Sequence, residues 1–163
     1  MITVLRLILN FQWNNFAGER SEHGEQNNMK KITYKITLYD DKETKYRLKI
    51  CGDVLKVIYD HSKNKDFASD EDHDSFHNDI ELGDSVKFSV KCSNGKEASF
   101  TTTLFNDTST IEKLDFMDKF EAMFDDERNN MPDEYINLID SISIGDTLTV
   151  TNEIFKSKDG DVK

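Results

Sequence analysis

Thr37-Leu38-Tyr39-Asp40-Asp41 returns later in the chain as Thr103-Leu104-Phe105-Asn106-Asp107. Two further echoes follow in order. Asp53 to Asp60 lines up with Asp118 to Asp125, and Leu82-Gly83-Asp84-Ser85-Val86 with Ile144-Gly145-Asp146-Thr147-Leu148. The separations are 66, 65 and 62 residues, so order and spacing are nearly kept. Self-similarity of this kind decides architecture before any local signal does. It points to two tandem copies of a small module, residues 29–97 and 98–158, with 1–28 as an appendage and 159–163 as a frayed tail.

Periodicity supplies the elements. Ile32, Tyr34, Ile36 and Leu38 alternate with Thr33, Lys35 and Thr37, the pattern of a half-buried strand. Asp40 to Thr44 reads as a polar turn. Tyr46, Leu48 and Ile50 alternate with Arg47 and Lys49, which suggests a hairpin. Asp53 is placed to cap a helix over Val54 to Ser62, and 63–81 is polar loop. Val86, Phe88, Val90 and Cys92 alternate again, and Asn94-Gly95 turns that strand into one over Ala98–Phe105. Ile111, Leu114, Met117, Phe120 and Phe124 recur at steps of three and four, predicting one amphipathic helix. Pro132 suits the first turn of another, and Gly145-Asp146 opens a last strand from Leu148 toward Ile154. Each module thus reads strand, strand, helix, strand. The fold class is α+β: an antiparallel sheet with helices on one face.

Charge is the second strong signal. The net formal charge is −11, and it is concentrated: residues 60–84 hold nine acids and two lysines, and 107–140 hold eleven acids and three bases. A field of that sign repels nucleic acid and membrane surfaces and attracts basic partners. Its plainest role is solubility. With 11 Phe and 5 Tyr there is aromatic mass for a packed core despite a charged fraction of 33%. Cys51 and Cys92 fall at non-equivalent places in the two copies, which suits free thiols in a reducing cytoplasm.

Catalytic and cofactor patterns are missing. No Gly-x-Ser-x-Gly, Walker or dinucleotide spacing occurs, and neither cysteine lies near a histidine in sequence. No enzyme and no cofactor is expected. Asp70, Asp72, Asp74, Asn78 and Glu81 match positions 1, 3, 5, 9 and 12 of a calcium loop, giving a metal-binding alternative. Ser75 stands where that loop needs glycine and His77 where it needs an aliphatic residue, so a solvated acidic loop fits better. His73 and His77 lack the further ligands zinc requires.

A non-enzymatic binder remains, one whose carboxylates meet a basic cleft on a nucleic-acid-handling protein such as a nuclease. The candidate partner-binding residues are Asp70, Glu71, Asp72 and Asp74 in the first block. In the second they are Asp118, Glu121, Asp125, Asp126, Glu127, Asp133 and Glu134. In size and composition the chain resembles the acidic inhibitors that phages and mobile elements direct against host nucleases, anti-CRISPR proteins among them. That resemblance implies DNA mimicry, with no direct contact to nucleic acid or membrane. A structural or assembly subunit is a further alternative.

Overall fold

Four alternating segments become four strands: β1 (Lys31–Thr37), β2 (Ser85–Cys92), β3 (Glu97–Thr103) and β4 (Thr147–Phe155). The computed structural model describes residues 30–60 and 70–158, so the proposed appendage 1–28 and tail 159–163 lie outside the described residues. The strands form one antiparallel sheet in the order β1-β4-β2-β3. At the β2–β3 turn the Asn94 carboxamide oxygen accepts the Lys96 N–H at 2.9 Å, and Gly95 adopts φ of 90°. A β-carbon would oppose that conformation.

Helices α1 (Lys42–Cys51), α2 (Val54–Asp60) and α3 (Asp70–Asn78) connect β1 to β2. Helices α4 (Thr108–Leu114), α5 (Lys119–Asp125) and α6 (Asp133–Asp140) connect β3 to β4. They cover one sheet face. Ile32, Tyr34 and Ile36 of β1, Val86, Phe88 and Val90 of β2, Phe100 of β3 and Leu148, Val150 and Ile154 of β4 are buried there. Leu55, Val57, Ile58, Phe76, Phe120, Met123, Tyr135 and Leu138 pack onto them from the helices in a single core. The other residue of each strand pair faces outward, so the fold is α+β with a one-sided sheet.

Three local expectations are corrected. The segment expected to form the second strand of a hairpin, Tyr46 to Ile50, lies within α1. Asp41 caps that helix through the Thr44 N–H at 2.8 Å, Gly52 closes it at φ of 63°, and Glu43 pairs with Arg47 at 3.2 Å. The apparent alternation came from Lys and Arg, good helix formers, interleaved with apolar residues. Tyr46 and Ile50 share an outer face, each 65% exposed. The expected loop at 63–81 contains α3, in which Phe76 is buried. The single helix expected across Ile111–Phe124 is two, because Asp118 starts a new one by accepting the Glu121 N–H at 2.8 Å.

Among the described residues the order in each half is therefore strand, three helices, strand. Exchanging β1 with β3 and β2 with β4 leaves the sheet order unchanged. Equivalent contacts recur. Gly145 N–H donates to Leu38 O and Leu38 N–H to Asp146 O at 2.9 Å; Gly83 N–H donates to Leu104 O and Leu104 N–H to Asp84 O at 2.9 Å. Asp41 caps Thr44 as Asp107 caps Thr110, the latter at 2.9 Å. Tyr34 meets His73 edge-on at 5.0 Å, as Phe100 meets Tyr135 at 4.7 Å.

Phe120 tests the core. It is 4% exposed and lies 6.0 Å from the Phe88 ring and 5.0 Å from that of His77. Phe120→Ala is expected to cost about 3–5 kcal/mol in urea unfolding. An unchanged unfolding midpoint would place Phe120 outside the core.

Candidate interaction surface

Sequence composition locates the acids; hydrogen bonding decides which of them face solvent unpaired. In the second block all three bases are engaged internally. Lys119 Nζ donates to the carbonyls of His77 and Asn78, both at 3.3 Å, and of Ile80, which close the C-terminal end of α3. Burial lowers the Lys119 pKa from its ordinary value, with Lys156 nearby adding to the effect. Lys113 lies 3.3 Å from Asp125. Arg128 bonds Asp107 at 2.8 Å and Asp126 at 2.7 Å, and its guanidinium stacks 3.7 Å above the Phe105 ring.

The predicted partner-binding residues consequently separate. Asp126 is 8% exposed and joined to Arg128, whose hydrogen bonds hold its carboxyl at about 2. Asp118 caps α5. Both serve the fold. Asp125 is exposed and paired with Lys113, and Glu121 is half-buried. Glu127, Asp133 and Glu134 are exposed, and no ion pair among the described residues engages them. Glu112, Asp115 and Asp140, not singled out from the sequence, have the same character. Their signal was present in the block charge, but nothing in the sequence ranked them above Asp118 or Asp126.

In the first block Asp70 opens α3, Glu71 and Asp72 are exposed, and Asp74 is half-buried. The calcium-loop spacing of Asp70, Asp72, Asp74, Asn78 and Glu81 is not realised. A calcium loop wraps its ligands around the ion, whereas Asp72, Asp74 and Asn78 stand on the turns of helix α3. Glu81 lies 3.4 Å from Lys156, outside the helix. Among the described residues no three His, Cys, Asp or Glu groups converge as metal ligands. His77 is partly buried against Phe120, and this desolvation lowers its pKa despite Asp118 nearby. The Gly-Asp turns act as turns: buried Asp84 accepts the Glu81 N–H at 2.8 Å and Lys156 Nζ at 3.0 Å, and Asp146 accepts the Ser143 N–H at 2.8 Å.

A depression is lined by Ser89, Lys91, Glu97, Ser99, Glu134 and Thr149. Among the described residues no helix is long and apolar enough to cross a membrane. Comparison with known protein families, with curated proteins and with solved structures returns no match to this chain.

Asp126 provides a check on the Arg128 network. Its folded pKa of about 2 lies below the ordinary value of 3.8. The pairing therefore stabilises the fold above about pH 4, and that contribution is lost as pH falls through 2. Arg128→Ala is expected to lower stability at neutral pH, because it strips the largely buried Asp126 carboxylate of its partner. It should also move the Asp126 carboxyl titration, followed by NMR, up toward the ordinary value. An Asp126 titration unmoved in the variant would dissolve the pair as the cause.

Proposed function

We propose that this protein is a non-enzymatic inhibitor or adaptor that presents carboxylates to the basic cleft of a nucleic-acid-handling protein, in the manner of an acidic DNA mimic. The observation that carries this reading is the inward commitment of the bases. Lys113, Lys119 and Arg128 are spent on Asp125, on helix-end carbonyls and on Asp107 with Asp126. Exposed acids along residues 112–140, namely Glu112, Asp115, Glu127, Asp133, Glu134 and Asp140, are left without neutralising partners among the described residues. Negative charge held on the first turn of α6 and on the turn that precedes it is carried by folded backbone, so little ordering opposes association with a cationic groove. A phage or mobile-element inhibitor of the anti-CRISPR kind is the specific class this character matches.

The frame in this reading is a tandem duplication of a strand–helix–helix–helix–strand unit, supported by the recurring caps, ring pairs and strand-end hydrogen bonds. Cys51 and Cys92 are free thiols, in keeping with a cytoplasmic site of action.

The test compares two baits in the native host: the wild-type chain and the triple variant Glu127→Lys/Asp133→Lys/Glu134→Lys. A nucleic-acid-binding protein should be enriched on the wild type alone and be displaced by added duplex DNA. Association should weaken steeply as salt rises. Equal enrichment on both baits, or indifference to DNA, would sink the proposal.

A further inference from the structure

We infer that the sheet face opposite the described helices, open among the described residues, is a docking surface for the phosphate backbone of double-stranded nucleic acid. This goes beyond the acidic-surface reading and stands without it. Strand register sets the geometry. Lys31 of β1 lies opposite Glu153 of β4, which lies opposite Lys87 of β2; Lys35 lies opposite Thr149, which lies opposite Lys91. All of these belong to the outward alternation of their strands. The four lysines therefore mark a rectangle of about 10 Å across two strand spacings by about 13 Å along four residues. Between the lysine rows the hydroxyls of Thr33, Thr151 and Ser89 stand in register, with Thr33 and Thr151 oxygens 3.1 Å apart. Among the described residues no ion pair engages any of the four lysines.

The chemistry selects the occupant. Lysine and hydroxyl donors are the groups that contact phosphate oxygens. Protein–protein interface cores favour aromatic residues, Met and Arg and are depleted in Lys and Ser, so a second copy of the chain fits this face poorly. Among the described residues no ring stands within the lysine rectangle, and Phe155 lies beyond it, opposite Ser85. Unpaired bases would find no stacking platform there, which favours a duplex gripped by its backbone. The net charge of −11 opposes nucleic acid, and acids of the helices border this face, Glu134 beside Lys91 and Asp72 beside Lys31, so contact is confined to low salt. Glu153 and Glu97 sit in the two lysine rows and keep the attraction weak.

The experiment is fluorescence anisotropy of a short labelled DNA duplex of arbitrary sequence, titrated with the full chain at low salt and then across salt concentrations. Sequence-independent binding is expected, with a slope of log affinity against log salt no steeper than about −3.6 for four neutralised phosphates. Lys35→Ala/Lys91→Ala should make the slope shallower by about 2. The exposed α1 pair Lys42→Ala/Lys49→Ala should leave it unchanged, and the unpaired strand should bind no tighter than the duplex. Absence of duplex binding by the wild type, or equal losses in both double variants, would overturn the inference. Tighter binding of the unpaired strand would overturn it as well. So would low-salt self-association, read by sedimentation velocity, that Lys35→Ala/Lys91→Ala abolishes while DNA stays unbound. None of these outcomes bears on capture by the acidic helices, whose variants are separate.

Discussion

The antiparallel ladder between β2 and β4, running from Ser85 opposite Phe155 to Cys92 opposite Leu148, joins the two halves of the chain. Each outer strand then pairs with the central strand of the opposite half, β1 with β4 and β3 with β2. Neither half can complete its own sheet. Leu38 and Leu104 lock the arrangement, each exchanging backbone hydrogen bonds with a Gly-Asp turn from the other half. One shared sheet means one shared core. Phe88 from the first half lies within 5.2–6.0 Å of Phe100, Phe120 and Phe124 from the second. Burial of this aromatic cluster is the main favourable term available to a chain with so many charges.

The strands were legible because alternation on a one-sided sheet is a direct imprint of burial, and Asn94-Gly95 named its own turn. Helix α1 was not. Its Tyr46 and Ile50 are exposed, so its apolar residues report no core face, and the capping by Asp41 and Gly52 decides it instead. Helix α3 hid for a related reason: Phe76 is its fully buried anchor among polar neighbours. For the candidate surface, the excess of acid was visible in the sequence, but the fate of each carboxylate was not. Asp118 and Asp126 differ from Glu127 and Asp133 only in which N–H or guanidinium the fold brings to them.

Charge is sorted by layer. In the helical layer acids outnumber bases, and Lys119 closes a helix end while Arg128 binds the buried Asp126. On the open sheet face, lysines and hydroxyls predominate. Such sorting costs little, because the exposed groups remain hydrated and screened from one another beyond about 8 Å in physiological salt. Four lysines on the strands against a surplus of acids on the helices bias the way the molecule meets a charged assembly.

The pairing of Lys31 with Glu153 has a mechanical corollary. The outer end of β1 and the far end of β4 leave the sheet side by side. Tension drawn between those points would part the β1–β4 ladder one bond after another, like a zip, and the weakest direction of the fold lies there. A load applied instead between Lys31 and the Asn94 turn would not meet that sequential seam.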